Sequence, residues 1–395
     1  MVTPVGLGVE DAWDALLAGR SGFRPVGSFD TRRHTVQVGA EVEGFRPGEY
    51  LRTLEPASLG RASQLAVAAA RMAFADAGVD RGTLEPHRTG VAMGTTSGEP
   101  REVEELDDRL IAGEPEGIGP EFISRYPCHR ISEHVADELG LTGPNIMIPT
   151  ACAAGNYAIA HAFDQLRLGR AELMVAGGAD CFSRITYTGF ARLGAIAPER
   201  CQPFDLNRQG MIPGEGAAVL VLEPLDRALG RGARIYAEVA GCGLSCDAHH
   251  MTAAHPEGDG AARAMEQALT QSGLEADQVS YISAHGTGTD TNDRIETIAV
   301  KRIFGEAAYG IPMSSIKSMI GHTMGAASAI EAAVCAMAIT TGRIPPTMNF
   351  EEPDPVCDLD YVANSARDHR VDVAMSNAYA FGGNNASLIL KRATV

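Results

Sequence analysis

Two pairs of similar segments recur in the same order along this 395-residue chain, and they constrain its fold more than any other feature. The members of the first pair begin at Ala70 and Ala262, and each runs from an Ala-rich helical pattern through a glycine stop and a loop to a short apolar strand. The members of the second pair begin at Pro149 and Met319, and each is a small-residue turn that opens a long Ala-rich helix. Two pairs in one order favour a duplicated fold over chance similarity.

Helical and strand patterns alternate through the whole chain, which is typical of an α/β protein with largely parallel sheets. Two periodic segments predict helices that end at a glycine, namely Ala62–Ala77 before Gly78 and Ala261–Ser272 before Gly273. Short apolar runs predict strands at Gly90–Met93, Leu173–Ala176, Ala217–Leu222, Tyr281–Ala284, Val371–Met375 and Ser387–Leu390.

The composition excludes several classes of function. A formal net charge of −17 argues against a nucleic-acid or anionic membrane surface, both of which need clustered basic residues. Eight scattered cysteines indicate a reducing compartment and so a cytoplasmic protein without a disulfide framework, and no signal peptide is visible. Between Lys317 and Arg343 only Glu331 is formally charged, but the many small residues there favour a buried helix over a membrane span.

A cysteine lies in the small-residue turn Thr150–Gly155, directly before a predicted helix. At a helix N-terminus, Cys152 would face unpaired backbone N–H groups and the positive end of the helix dipole. Both favour the thiolate, which is the nucleophilic form of cysteine. From this segment alone, a small buried hydrophobic cysteine is an equally good interpretation.

Two histidines stand at positions where α/β proteins hold their sites. His285 follows a predicted strand and precedes a Gly/Thr turn, whose Gly-x-Gly pair lacks the third glycine of a dinucleotide fingerprint. His322 begins a helix, where the dipole favours a neutral imidazole that can donate a hydrogen bond to an oxyanion. Farther along, the Gly-Gly turn after Phe381 could aim backbone N–H groups at a substrate oxygen.

Taken together and in this order, these segments resemble the elongating β-ketoacyl-acyl carrier protein synthases of the thiolase superfamily. The resemblance runs from end to end and includes Pro203–Asp205, Gly214–Gly216 and the segment Ser245–Thr252. It implies a cysteine thiolate nucleophile with two histidines, a thiolase-like fold of duplicated βαβ halves, and a five-layer αβαβα arrangement. We expect residues 1–232 to form the half that carries Cys152 and residues 233–395 to form the half that carries both histidines.

The resemblance also implies a role for each matching residue. Cys152 would attack an acyl thioester, and the N–H groups of Cys152 and Phe381 would form the oxyanion hole, with Phe381 also gating the acyl pocket. His285 and His322 would stabilise the enolate formed when a malonyl thioester loses carbon dioxide. The remaining matched residues would support the histidines (Lys317, Glu331 and Asp293) or hydrogen-bond the pantetheine arm (Thr287 and Thr289).

Implied partners are an acyl carrier protein, whose phosphopantetheine carries the substrates, and either a second copy or a homologous chain-length factor. No metal or redox cofactor is expected. Five arginines are candidates for carrier docking: Arg52, Arg61, Arg192, Arg200 and Arg208. The family has a further strand before the segment at Met1, so the resemblance implies a late start here. Departures from the family pattern at Gln209, Tyr379, Ala380 and Asn384 favour polyketide or polyene synthesis over fatty-acid synthesis.

Several other interpretations remain. The same fold could serve an acyltransferase or decarboxylase that extends no chain, a chain-length subunit without catalysis, or a thiolase acting on coenzyme A. Both histidines argue against the first, the intact Cys152 and Lys317 against the second, and the missing second cysteine at the Gly-Gly turn against the third. The predicted loop Gly241–His250 holds two cysteines and two histidines, but their spacing does not fit a zinc site.

Overall fold

A computed structural model describes residues 1–80, 82, 84–114 and 119–394. The twelve helices within this part are α1 Val9–Leu17, α2 Arg61–Asp76, α3 Pro100–Ile111, α4 Pro120–Arg125, α5 Arg130–Leu139, α6 Ala154–Arg167, α7 Arg184–Arg192, α8 Leu225–Gly230, α9 Asp259–Ser272, α10 Asp290–Phe304, α11 Lys317–Ile320 and α12 Ala327–Thr341.

The fifteen strands of the described residues are β1 Val2–Thr3, β2 Gly6–Leu7, β3 Arg24–Pro25, β4 Val38–Gly39, β5 Thr89–Gly94, β6 Asn145–Ile148, β7 Leu173–Asp180, β8 Gly216–Leu222, β9 Glu238–Cys246, β10 Tyr281–Ser283, β11 Met313–Ser314, β12 Arg343–Ile344, β13 Arg367–Asp368, β14 Val373–Tyr379 and β15 Asn384–Lys391. Each strand predicted from the sequence overlaps one of these. The sequence predicts neither β6 and β9 nor the seven strands of two residues.

The two large sheets have the same connectivity. The first has the order β2-β1-β8-β7-β5-β6, and the second, read from its other edge, has the order β9-β15-β14-β10-β11. Corresponding pairs also agree in direction: β7–β8 and β14–β15 are antiparallel, whereas β5–β7 and β10–β14 are parallel. The duplicated fold predicted from the repeated segments is therefore confirmed.

The helices and sheets stack in five layers. Helices α2 and α5 cover the outer face of the first sheet, α6 and α12 lie between the sheets, and α9 packs on the outer face of the second sheet with α10 beside it. The αβαβα prediction is confirmed. The first sheet takes its strands from residues 2–222 and the second from residues 238–391, while a division at residues 232 and 233 stays a prediction.

The apolar segment before Arg343 is a core helix. Residues Met324–Thr341 are long and apolar enough to cross a membrane, yet nearly all of them are buried. Helix α12 packs against α6 and against strands of both sheets. Because every side of the helix faces another element, the helix is apolar on every side.

The segment Gly241–His250, predicted to be a loop, is in its first half a strand. Strand β9 runs through Cys246 and pairs along the whole of β15. The glycines of this segment suggest a turn, but here they allow α9 to pack very close to the strand. A Cβ on Gly243 would lie 1.9 Å from the carbonyl oxygen of Ala264.

Candidate active site

Cys152 lies in a tight turn between the two sheets. The 3-10 turn Ala151–Ala153 leads directly into α6, and Ala151 adopts a positive φ of 50°. Small side chains allow this sharp entry, which places the Cys152 sulfur near the start of the helix. The residue is buried, and within the described part of the chain its N–H donates to no backbone oxygen.

The surroundings of the sulfur favour the thiol form, whereas the position at a helix start favours the thiolate. Burial raises the pKa of Cys152 to about 12, and the nearby Lys317 ammonium only partly opposes this effect. The negative charges of Asp180 and Glu331 raise it further. Because removing a thiolate from water outweighs the favourable charges, attack on a substrate requires a proton acceptor at the moment of reaction.

His285 is held by a carboxylate that the sequence analysis missed. The N–H groups of His285 and Gly286 donate to the two oxygens of Glu296, each at 2.8 Å. Glu296 lies on α10, one helical turn beyond Asp293, and it is fully buried. One feature of the sequence could have identified Glu296. It is an acidic residue in the first turns of the helix that follows the histidine loop, and from there its side chain can reach back to that loop.

Lys317 joins His285 to Glu331 in the interior. Its Nζ donates to the carbonyl oxygen of His285 at 2.6 Å and forms a fully buried ion pair with Glu331. The same Nζ lies 3.5 Å from Nδ1 of His285. Because an ammonium can only donate hydrogen bonds, the Nδ1 atom that faces it is an acceptor and has the lone pair. The proton of the neutral His285 ring is therefore on Nε2.

His322 is oriented by its own turn. Its backbone N–H donates to the carbonyl oxygen of Ile212 at 2.7 Å, and its Nδ1 accepts from the N–H of Met324 at 3.2 Å. The Nδ1 atom is thus an acceptor here as well, and Nε2 carries the proton. The His285 and His322 rings are nearly perpendicular, with their centroids 5.5 Å apart.

Both imidazoles are neutral. Burial, followed by the charge of Lys317, lowers the pKa of His285 and of His322 well below the ordinary value for histidine. Burial also raises the pKa of Glu331 to about 7, against the opposing effect of Lys317. The site therefore contains one cation, Lys317, beside two neutral rings, each of which has an N–H group to donate.

The turn after β14 places a second free N–H group. Within Phe381–Gly383, the N–H of Gly382 donates to Met251 and that of Gly383 donates to Ala380, whereas the N–H of Phe381 has no backbone acceptor among the described residues. Gly382 and Gly383 have φ values of 80° and 76°, which favour glycine. The Phe381 ring is 37% exposed and lies 5.7 Å from the Phe190 ring.

Thr287 and Thr289 lie in the loop between β10 and α10, with their hydroxyl oxygens 2.9 Å apart. Asp293 supports this loop from beneath, because it accepts hydrogen bonds from the N–H groups of Gly288 and Phe204. Its hydrogen bonds thus join the threonine loop to the backbone of Phe204, and the carboxylate that contacts the backbone of His285 is Glu296. Any role of Asp293 in catalysis stays a prediction.

Of the five candidate docking arginines, Arg208 is buried and Arg61 is only partly exposed. Arg61 pairs with Glu215 at 2.7 Å, and Arg208 pairs with Asp354 at 2.6 Å. Both side chains neutralise buried carboxylates. The buried Arg208 cannot meet a carrier, so that prediction is wrong, whereas docking at Arg61 stays a prediction. The other three are at least partly exposed, and Arg200 pairs with Glu351 on the surface. The described residues contain no group of three or more His, Cys, Asp or Glu side chains arranged for a metal ion.

Comparisons with known proteins agree with this geometry. The family models "Beta-ketoacyl synthase, N-terminal domain" and "Beta-ketoacyl synthase, C-terminal domain" match residues 1–228 and 236–351. The 3-oxoacyl-[acyl-carrier-protein] synthase 2 of Synechocystis is 40% identical over 99% of this chain and 96% of its own. The tetracenomycin polyketide synthase ketoacyl synthase alpha subunit of Streptomyces glaucescens is 41% identical over 98% and 94%.

Two solved structures show the same fold. The ishigamide ketosynthase/chain length factor has a TM-score of 0.96 and 44% identity, over 100% of this chain and 97% of its own. A ketosynthase in complex with its type II acyl-carrier protein has a TM-score of 0.92 and 32% identity, over 99% and 97%. With a family model for each half and these relatives over nearly its whole length, the chain belongs to the β-ketoacyl synthase family.

Proposed function

We propose that this protein is a β-ketoacyl-acyl carrier protein synthase that condenses a Cys152-bound acyl group with a malonyl thioester. One observation carries the proposal: Nδ1 of His285 lies 3.5 Å from the Lys317 ammonium, and Nδ1 of His322 accepts from the Met324 N–H at 3.2 Å. These contacts favour neutral rings with the proton on Nε2. Two neutral N–H donors side by side suit a developing enolate oxygen, and simple acyl transfer does not need both.

In the first half-reaction, Sγ of Cys152 attacks the carbonyl carbon of an acyl thioester. The oxygen becomes negative while the N–H groups of Cys152 and Phe381 donate to it. The bond to the pantetheine sulfur then breaks, and that sulfur is the acceptor that takes the proton from Cys152 as it leaves. The unpaired state of both N–H groups in the described chain supports this role. Removal of such a donor typically slows a reaction by about 100-fold or more.

In the second half-reaction, the carboxylate of a malonyl thioester leaves as carbon dioxide. The electron pair of the broken bond moves onto the thioester oxygen as an enolate, where His285 and His322 donate from Nε2. The enolate carbon attacks the acyl carbonyl on Cys152, a carbon–carbon bond forms, and Sγ leaves and takes up a proton. Thiol, imidazoles and backbone donors suffice for this chemistry, so we propose no metal or redox cofactor.

An acyl carrier protein would present both substrates on its phosphopantetheine arm, and a related ketosynthase has been solved in complex with its acyl-carrier protein. Thr287 and Thr289 are the proposed contacts for that arm, because their hydroxyls are adjacent in the loop beside His285. Phe381, partly exposed on the turn above Cys152, is the proposed gate. A cytoplasmic location is part of the same proposal.

The second subunit would be another copy or a homologous chain-length factor, like the partner in the ishigamide structure. Strand β6 supports this assembly, because it is the edge of the first sheet and its first two residues are exposed. An edge strand with unpaired backbone groups is a template for pairing with another chain. We propose β6 as the centre of the subunit interface.

The product belongs to fatty-acid or polyketide synthesis, and the residue departures noted above favour a polyketide or polyene pathway. The experiment is incubation with acyl-carrier and malonyl-carrier thioesters, followed by mass spectrometry of the carrier. Wild type should form a β-ketoacyl carrier and release carbon dioxide, whereas Cys152→Ala should form none. Acylation of Cys152 without chain extension would indicate an acyltransferase. Neither event, even with a homologous partner subunit added, would indicate a chain-length subunit without catalysis.

A further inference from the structure

Asp180 is a buried carboxylate beside the site that the mechanism does not yet use. It ends β7, and its side chain is completely buried. Its Oδ1 accepts from the Thr95 hydroxyl and the Ser97 N–H, each at 2.9 Å, and its Oδ2 accepts from the N–H groups of Thr96 and Gly325, each at 2.7 Å. Four donors converge on one side chain, which joins the loop after β5 to the turn after His322.

That turn is the one that orients His322. Met324 has a positive φ of 53°, a conformation that a non-glycine residue keeps only when its surroundings hold it. Its N–H is the donor to Nδ1 of His322, and the next N–H, that of Gly325, donates to Asp180. The carboxylate therefore holds the residue that follows the strained one.

The fit at Gly325 is too close for another side chain. A Cβ there would stand 2.6 Å from Oδ2 of Asp180 and also 2.6 Å from backbone atoms of Thr95 and Thr96. The turn from the second half of the chain is thus pressed directly onto Asp180 and the loop of the first half. A movement of the turn away from Asp180 would also move the Met324 N–H away from His322.

We propose that Asp180 is a positioning residue for His322. By holding the Gly325 N–H, it keeps the Met324 N–H on Nδ1 and so keeps the proton on Nε2, facing the enolate. This inference rests on the proposed function in its catalytic consequence, but the state of the His322 ring can be measured without any substrate.

Glu99 provides a matched control elsewhere in the same half. It is also a completely buried carboxylate that accepts from backbone N–H groups, those of Ala62 and Ser63 at the start of α2. Its partners lie on the outer side of the first sheet, and neither belongs to the turn after His322. Loss of either carboxylate removes buried hydrogen bonds, but only loss of Asp180 releases the His322 turn.

The first measurement is ¹⁵N NMR of histidine-labelled protein, with the His322 signals assigned by their loss in His322→Gln. Wild type and Glu99→Ala should show an acceptor-type Nδ1 and a protonated Nε2. Asp180→Ala should show a mixture of ring states. Gly325→Ala keeps Asp180 but pushes the turn away from it, so this variant should show the same mixture of ring states. It replaces Asp180→Ala in the experiment if that variant does not fold. An unchanged His322 spectrum in a folded Asp180→Ala or Gly325→Ala protein would overturn the inference.

The second measurement separates the two half-reactions. Asp180→Ala should release carbon dioxide from the malonyl carrier about 100-fold more slowly than wild type. Acylation of Cys152 should stay within about threefold, since the lost negative charge is one that opposes thiolate formation. Equal loss in both half-reactions would overturn the inference. A wild type active in neither half-reaction would instead refute the proposed function, and the NMR result would still stand.

Discussion

At the residue scale, the centre of the site is the ion pair between Lys317 and Glu331, both with fully buried side chains. A buried pair contributes little net stability as a pair, because desolvation of both ions offsets their attraction. Removal of one partner is costly, since the other charge is then left alone in the interior. The pair thus holds a cation beside His285 that the protein could not otherwise keep there.

Replacement of Lys317 by Met should lower the free energy of unfolding by about 3 kcal/mol, because the Glu331 carboxylate loses its partner. The double variant Lys317→Met/Glu331→Leu should recover most of the lost free energy of unfolding. Neither variant should catalyse the condensation. Urea unfolding of both variants and of wild type gives the comparison. A loss of less than about 1 kcal/mol in the single variant would contradict a buried charged pair.

His322 should contribute to the pH dependence of stability. Its pKa is lowered in the fold, so folded His322 stays neutral while the unfolded chain takes up a proton below its ordinary pKa of about 6.5. Stability is therefore lost as pH falls. Between about pH 7.5 and pH 5.5, wild type should lose about 1 kcal/mol more than His322→Gln in urea unfolding. Parallel pH profiles for the two proteins would mean that folded His322 also takes up the proton.

The sequence identifies the residues of this centre by type and order, but it does not identify their supports. Cys152, His285, Lys317 and His322 stand in short motifs, and the structure brings the last three together with Glu331. Glu296 acts through backbone N–H groups of the loop just before its own helix, but Asp180 acts through those of distant segments. A pairing of the second kind leaves no spacing signal. Burial of Cys152, which raises the pKa of its thiol, likewise depends on layers of packing that no local motif shows.

At the scale of elements, glycine explains both a success and a failure of sequence reasoning. The stops after α2 and α9 are Gly78 and Gly273, each with a positive φ that ends a helix, as predicted. In β9, glycine marks close packing against α9, so the segment looks like a loop in the sequence and is a strand in the fold. The two uses of glycine are indistinguishable without the neighbouring element.

Helix α6 and helix α12 approach each other through Gly155. A Cβ at that position would lie 2.6 Å from the backbone nitrogen of Ala329, so Gly155→Ala should push apart the helices that carry Cys152 and Glu331. We expect it to lower the free energy of unfolding by about 1–3 kcal/mol. Thermal or urea unfolding measures the effect.

The matched control is Gly189→Ala, a change of the same kind in α7, where a Cβ would meet open space. It should stabilise the protein by about 0.5–1 kcal/mol, because alanine is the better helix former. If both substitutions raise the free energy of unfolding, the close contact between α6 and α12 is not present in solution.

At the scale of the whole molecule, the site lies where two copies of one topology meet. Cys152 comes from the turn before α6 in the first half, and His322 comes from the segment before α12 in the second. Each turn contains one residue with a positive φ, Ala151 in the first half and Met324 in the second. Each turn then leads into a long central helix, α6 or α12. The repeated segments predict this duplication, whereas the contact between the two turns emerges only when the sheets are stacked.

The edge strand β6 should control assembly. Ile146 on this strand is 36% exposed. The substitution Ile146→Lys should impede strand pairing between subunits, because a charged edge resists addition of another chain. Analytical ultracentrifugation should show dissociation of the dimer or of its complex with a chain-length partner. The control is Leu168→Lys, an equally apolar and more exposed position after the end of α6. Assembly that survives Ile146→Lys and fails in Leu168→Lys would move the interface away from β6.

The central claim is that Cys152 carries an acyl group as a thioester. Intact-protein mass spectrometry after mixing with a panel of acyl-carrier thioesters tests it most directly, with Cys152→Ala beside wild type and peptide mapping of the modified residue. Wild type should gain the mass of one acyl group at Cys152, and the variant should gain none. Acylation at another residue, or equal acylation of both proteins, would contradict the account.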